Sequence, residues 1–464
     1  MIVRIFDQYI PVRKIAFFFL ESVFIMAMVI AGTYLRFGGD TARLVAYEGL
    51  FFKALLIVGS AQFSLYYFDL YDLKIFRSNL ELAIRLLQSL GVSSLLLAVL
   101  YYLFPLLIIG RGIFLISLGF IGVVIVSWRI IYNHILKTRQ FDQKIMIVGC
   151  GPLAKSIAGE IIEKVDTGFK VVGFISEDPG KTGEKLINPS ILGDGSQILD
   201  IARREKVDRI IVALEERRGK FPDAQLLECK MKGIIVEDGI GFYERLTGKL
   251  QVESLRPSSL IFSEGFKKSK LTTWMKRVSG FSLSLIGLIL LSPLILIISI
   301  LIKMDSHGPV FYKQERVGEM GKIFKLLKFR SMVEGAEANG PVWAGKNDDR
   351  ITRIGQWIRK WRLDEIPQMV NVLKGDMSFV GPRPERAYFV EKLREEVPFY
   401  DQRFYVKPGI TGLAQVKYQY GASKDDSLEK LRYDLYYIKN LSSLLDLLII
   451  FETIKVVLSG KGAR

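Results

Sequence analysis

The chain has 464 residues, half of them apolar, and a formal net charge of +16, which is long enough for two or three domains and basic enough to require anionic partners. A positive mean hydropathy, with the apolar runs gathered in the N-terminal third, argues against a soluble nucleic-acid binder and for a membrane and phosphorylated ligands. Two cysteines and two histidines argue against a disulfide framework, a zinc site or chemistry built on several imidazoles.

In chain order, residues 1–140 hold four apolar stretches near 15–35, 50–68, 82–109 and 112–133, each close to the ~20 residues that span a bilayer. They read as four transmembrane helices acting as an anchor, the first a retained span and not a cleaved signal. Arg4, Arg13 and Lys14 precede the first, Lys74, Arg77 and Arg85 surround the second turn-around, and Lys137, Arg139 and Lys144 follow the fourth. Arg36, Arg43, Lys53 and Arg111 remain for the other side, so both ends of the block are expected to face the cytoplasm. Glu21 is the one acidic residue within a span, and nothing resembles a proton relay.

Residues 141–250 open on KIMIVGCGPLAKSIAGEI, an apolar strand ending in Gly149-x-Gly151-x-x-Ala154 and running into a helix pattern. VVGFISED, VDRIIVAL and GIIVED follow as further strands between helical stretches, the alternation of a Rossmann-like α/β domain. Gly149 and Gly151 are candidate nucleotide-binding positions, because such a turn lets backbone amides approach a pyrophosphate. The acid expected after the second strand is displaced to Glu177 or Asp178, so a structural role for this domain stands beside a nucleotide-binding one.

A linker, 251–267, leads to the block 268–464. An apolar run from about 279 to 302 has basic flanks on both sides and is interrupted by Ser292-Pro293. Proline removes an amide donor and crowds the preceding turn, so the run either bends and returns to its own side of the membrane or forms a kinked fifth span. RITRIGQWIRKWR, 350–362, sets Ile351, Ile354, Ile358 and Trp361 at helical spacing among arginines, the pattern of a basic amphipathic helix at an anionic lipid surface. The C-terminal SLLDLLIIFETIKVVL carries three charges and reads as a packed or interfacial helix.

Between these lies WRLDEIPQMVNVLKGDMSFVGPRPE. Asp364 and Glu365 are adjacent, so on a helix they point apart and cannot grasp one proton together. Asp364 at the start of a short helix ended by Gly375 reads as an N-cap. An ionised aspartate at a positive helix end is also a competent nucleophile or metal ligand, with basic residues on both sides able to hold a diphosphate. Pro382-Arg383-Pro384 fixes a guanidinium on a stiff turn.

Leu363-Asp364-Glu365-Ile366-Pro367-Gln368, Asn371-Val372-Leu373-Lys374-Gly375-Asp376-Met377-Ser378 and Gly381-Pro382-Arg383-Pro384, with Lys328-Phe329-Arg330-Ser331-Met332 and Lys407-Pro408-Gly409-Ile410-Thr411-Gly412, resemble the bacterial sugar transferase family, the monotopic polyprenyl-phosphate phosphoglycosyl transferases. The similarity covers 268–464 in consistent order, and the whole layout resembles the large members that prime exopolysaccharide or O-antigen assembly. It implies transfer of sugar 1-phosphate from a UDP-sugar to undecaprenyl phosphate, with release of UMP. It also implies a re-entrant helix bent at Ser292 and Pro293, a mostly helical catalytic domain on the cytoplasmic face of the bacterial inner membrane, and a homodimer. In the family the aspartate attacks the sugar-linked phosphorus. Asp364 matches that position; Glu365, with Asp364, would position Mg²⁺; Arg383 would bind the donor phosphate or uridine. Lys328, Arg330, Arg353 and Arg359 are further expected phosphate contacts. Lys417-Tyr418-Gln419-Tyr420-Gly421 departs from the short polar turn common in the family, which bears on the sugar and not on the reaction.

Two other classes compete. A membrane-anchored nucleotide-sugar dehydratase or epimerase would use a Tyr-x-x-x-Lys pair, present here only as Tyr388 and Lys392, outside the α/β unit. A non-enzymatic nucleotide-sensing scaffold of an export complex would leave Asp364 as a cap.

Overall fold

The computed structural model describes residues 2–5, 8–71, 79–139, 142–164, 167–215, 221–255, 257–263, 265–266, 269–336, 348–418 and 423–458. Contacts divide the chain into one unit of residues 1–4 and 9–242 and another of residues 5–8 and 243–464. The boundary at 242 lies upstream of the linker expected from sequence. Residues 244–250 are tied to the C-terminal unit by Lys439 to Glu244 at 2.6 Å, Lys249 to Glu429 at 2.7 Å and the Leu250 amide to the Arg432 carbonyl at 3.1 Å.

Four helices in the first unit are long and apolar enough to cross a bilayer: α1 (Val12–Arg36), α2 (Leu50–Tyr67), α3 (Asn79–Leu103) and α4 (Arg111–Thr138). The third ends at Leu103 and not near 109, because Pro105 starts a separate 3-10 turn, Pro105–Leu107. Ile25, Val29, Ile57, Ala61, Leu65, Leu97, Ile121 and Ile125 form the core of the bundle, while Phe19, Leu87, Leu95 and Val123 point outward. Helices α1 and α4 approach so closely that a Cβ on Gly32 would lie 2.5 Å from Ser117 Oγ, the close backbone contact small residues permit. Glu21 and Arg129, both buried, form an ion pair at 2.8 Å, and Tyr71 donates to Glu21 at 2.7 Å. Lys74 and Arg77 lie outside the described residues.

The same unit contains a five-stranded parallel sheet: β1 (Gln143–Val148), β2 (Phe169–Ser176), β3 (Ile191–Asp194), β4 (Arg209–Val212) and β5 (Ile235–Asp238), in the order β3-β2-β1-β4-β5. Strand β3 was not expected, since ILGD carries two residues that are poor in strands. The Gly-rich turn joins β1 to α5 (Pro152–Glu163), with Gly151 as N-cap. Gly149 has φ +121°, and a Cβ there would fall 2.4 Å from the Ala213 carbonyl, so the position demands glycine. A Cβ on Gly151 would meet the Glu215 carboxylate at 2.6 Å.

In the C-terminal unit the interrupted apolar run forms α6 (Lys270–Leu290) and α7 (Ser292–Asp305), bent by 63°. Ser292 Oγ donates to the Ile289 carbonyl at 2.8 Å, and Pro293 opens the second limb, so a hydroxyl caps the backbone group that the break leaves free. Leu290, Leu296, Ile297 and Ile300 stay exposed, whereas Ile298 and Ile302 pack with Phe329, Ile358 and Ile366. The expected amphipathic helix is α8 (Arg353–Lys360). Its Ile354 and Ile358 face this protein core and leave Trp357 and Trp361 exposed. An antiparallel hairpin, β6 (Phe311–Val317) with β7 (Ile323–Phe329), precedes it. The short α9 (Gln368–Lys374) ends at Gly375 with φ +95°, and two three-residue strands, β8 (Ser378–Val380) and β9 (Gly409–Thr411), pair in parallel. Helices α10 (Lys424–Lys439) and α11 (Ser443–Leu458) close the unit. The second of these is packed, with Leu445 and Ile449 buried.

Candidate active site

The local chain path sets the two carboxylates. Helix α8 stops at Lys360, Arg362 adopts a left-handed φ of +52°, and Leu363–Glu365 form a 3-10 turn before Pro367 and α9. The expected N-cap role of Asp364 is corrected here: α9 begins after Pro367, and no side chain caps it. The left-handed residue and the proline force a separate turn between the helices. Successive side chains in a 3-10 turn diverge by about 120°, so Asp364 and Glu365 face different partners.

Asn371 docks α9 against the edge of β7, donating to the Lys325 carbonyl at 2.8 Å and accepting from the Leu327 amide at 3.0 Å. That contact brings Lys328, also on β7, to the turn. Its Nζ lies 3.1 Å from Glu365 Oε1 and 3.9 Å from Asp364 Oδ2. Arg383 donates to the same Glu365 oxygen at 2.8 Å. Behind it, Gly381 packs so tightly that a Cβ would sit 2.4 Å from the Lys407 carbonyl. The Gly-Pro-Arg-Pro and Lys-Pro-Gly segments therefore meet backbone to backbone.

Both carboxylates are buried, yet their charges are unequally supported. Burial lifts the Asp364 carboxyl above its usual range, Lys328 opposes that, and the neighbouring Glu365 charge adds to it. Burial works on Glu365 in the same direction, but Arg383, Lys328 and Arg362 together outweigh it and hold the carboxyl well below the usual range. Burial pulls the Lys328 ammonium down, with Glu365 opposing. Glu365 is thus a fixed anion. Asp364 is the more basic carboxylate, which suits a nucleophile whose ionisation a nearby cation favours.

The other expected residues divide. Arg359 acts electrostatically on Asp364, whereas Arg353 is exposed at the start of α8. Arg330 donates to the Ser306 carbonyl at 2.7 Å and to its hydroxyl at 2.9 Å, at the exit of α7. Ser292 and Pro293 shape the bend, and Gly149 and Gly151 belong to the first unit. Tyr388 and Lys392 touch at 2.8 Å on an exposed helix face of the C-terminal unit, not in the α/β domain that a dehydratase would need. Sequence reasoning missed Arg362, whose only signal was adjacency to the dyad, and Arg316, Arg403 and Asp434, which reach the Arg383 turn only through folding. Gln419, Tyr420 and Gly421 lie outside the described residues.

Among the described residues no cluster of three or more acidic, histidine or cysteine ligands occurs, and the Asp364–Glu365 turn sets two carboxylates side by side. That fits magnesium, which commonly takes one or two carboxylates and completes its shell with substrate phosphates and water.

Residues 271–460 match the family model described as bacterial sugar transferase, and residues 66–220 match one described as a CoA-binding domain. The chain is 44% identical over 239 residues to a UDP-N-acetylgalactosamine-undecaprenyl-phosphate N-acetylgalactosaminephosphotransferase of Aeromonas hydrophila, covering 52% of this chain and 56% of that protein. It is 30% identical over 358 residues to an undecaprenyl-phosphate glucose phosphotransferase of Komagataeibacter xylinus, covering 75% and 65%. It is also 30% identical over 375 residues to an undecaprenyl-phosphate galactose phosphotransferase of Salmonella typhimurium, covering 76% of each. The chain spans 56% and 65% of the length of the first two of these relatives.

Proposed function

Because the chain belongs to the bacterial sugar transferase family, we propose that it transfers sugar 1-phosphate from a UDP-sugar to undecaprenyl phosphate, the priming step of exopolysaccharide or O-antigen assembly. The observation that carries the reading is the unequal carboxylate pair: Glu365 locked between Lys328 and Arg383, and Asp364 3.9 Å from Lys328.

In this reading an Asp364 oxygen attacks the sugar-linked phosphorus of the donor. The phosphorus–oxygen bond to UMP breaks, UMP leaves with the electron pair, and an aspartyl phosphosugar remains. An oxygen of undecaprenyl phosphate then attacks the same phosphorus, and the carboxylate of Asp364 is released. Arg383 trades Glu365 for the donor diphosphate, and Lys328 stabilises charge on the transferring phosphoryl group. Glu365, with Asp364 beside it, would hold a magnesium ion, which when bound neutralises the diphosphate. A double displacement suits one water-soluble and one lipid-bound substrate that need not occupy the site together.

The exposed apolar faces of α6 and α7 support a re-entrant element that keeps both basic flanks on the cytoplasmic face of the inner membrane. A homodimer rests on the family resemblance alone. Membranes carrying the protein, given undecaprenyl phosphate and a panel of UDP-glucose, UDP-galactose and their acetamido forms, should release UMP with one of them. No release across the panel would sink the reading.

A further inference from the structure

Pro382 and Pro384 have no N–H, so the turn that carries Arg383 is held chiefly through its carbonyls. Five carbonyls between residues 380 and 385 accept hydrogen bonds. Val380 O accepts from Lys276 Nζ at 2.8 Å, Pro382 O from the Gly409 amide at 2.9 Å, Arg383 O from Arg403 at 2.9 Å, Pro384 O from Arg316 at 3.0 Å and Glu385 O from the Val317 amide at 2.9 Å.

Three of those five donors are charged side chains from three different elements: Lys276 on α6, Arg316 on β6 and Arg403 in the 3-10 turn Tyr400–Tyr405. Each cation also has its own carboxylate. Lys276 meets Asp446 at 2.7 Å, Arg403 meets Asp434 at 2.9 Å, and Arg316 meets Glu385 at 3.5 Å. The side chains of Lys276, Arg316 and Arg403 are 12%, 16% and 6% exposed. Hydrogen bonds from charged donors are stronger than neutral ones. The paired carboxylates leave little net charge to repel Arg383.

We propose that Lys276, Arg316 and Arg403 are positioning residues that clamp the carbonyls of residues 380, 383 and 384, so that the Arg383 guanidinium meets the donor diphosphate in one geometry. This rests on the reading of Arg383 as a donor-binding group. A guanidinium fork meets phosphate bidentately in one geometry, which a fixed backbone holds ready, and a displacement of about 1 Å can cost about a hundredfold in rate. Lys276 makes α6, the first limb of the bent apolar pair, part of the clamp.

The test uses the full chain in lipid nanodiscs with two variants. Arg403→Gln combined with Asp434→Asn removes one cation without leaving a lone buried charge; Arg316→Gln removes another and serves if the double variant does not fold. Amide exchange in peptides covering residues 378–386 should quicken about tenfold while peptides of α8 and α9 hold still. The kcat/KM for the UDP-sugar should fall about tenfold, with that for undecaprenyl phosphate changing less than about threefold, and Arg316→Lys should recover part of the loss. Unchanged exchange, or an equal fall for both substrates, would overturn the clamp. If the wild type turns over no UDP-sugar, the transferase reading fails by itself and the exchange measurement alone decides the clamp.

Discussion

Two buried ionic clusters, one in each unit, show opposite uses of the same groups. In the apolar bundle Glu21 meets Arg129 at 2.8 Å, one carboxylate to one guanidinium, with Tyr71 completing the set. In the C-terminal unit two adjacent carboxylates meet Lys328 and Arg383, and both cations settle on Glu365. A matched pair has no charge left to offer a substrate, and it fixes how helices pack. An uneven pair leaves Asp364 basic and short of close partners, a state that costs stability and is useful only to chemistry.

Breaking the uneven cluster should have the largest effect. Asp364→Asn is expected to lower turnover by about a thousandfold or more while the thermal midpoint rises or holds, since the neutral amide relieves the cost of the buried charge, read by UMP release and calorimetry. Arg383→Ala should cost about a hundredfold, mostly in kcat/KM for the donor. Breaking the matched pair should do the reverse. Arg129→Met leaves Glu21 buried without its cation and should cost about 3–5 kcal/mol in an unfolding assay. Glu21→Leu with Arg129→Met should recover most of that, and UMP release by the folded fraction should stay within about twofold of wild type.

A third buried pair sharpens the contrast through pH. Burial raises the Asp434 carboxyl to about 6, against the pull of Arg403. A folded value above the unfolded one of about 3.9 contributes stability that is present at low pH and lost as pH rises through about 6. Wild type should therefore lose thermal stability relative to Asp434→Asn between about pH 4 and 6, whereas a parallel pH course would contradict the assignment. The smallest effect separates two arginines on one helix: Arg359→Ala should slow turnover a few-fold, and exposed Arg353→Ala less.

Much of this arrangement was legible because it is local. Apolar length marked the four spans, Gly149-x-Gly151 after an apolar strand marked the β1–α5 turn, and Ser292-Pro293 marked a break that the structure bends by 63°. The misreadings have physical causes. The end of α3 and the brief β3 turn on a proline and on a four-residue strand with little propensity of its own. Asp364 failed as a cap because Arg362 takes a left-handed conformation that its residue type does not announce. Arg403 meets the Arg383 carbonyl, and Asp434 meets Arg403, only through tertiary packing, so no spacing rule points to them.

The central claim is that Asp364 forms a covalent bond to phosphorus. Incubating the protein with the sugar-labelled UDP donor that supports UMP release, without undecaprenyl phosphate, and mapping the adduct by peptide mass spectrometry tests it directly. A phosphosugar on the peptide containing Asp364, absent in Asp364→Asn and discharged by added undecaprenyl phosphate, is the expected result. Turnover with no adduct on that peptide, or an adduct that persists in Asp364→Asn, would contradict it.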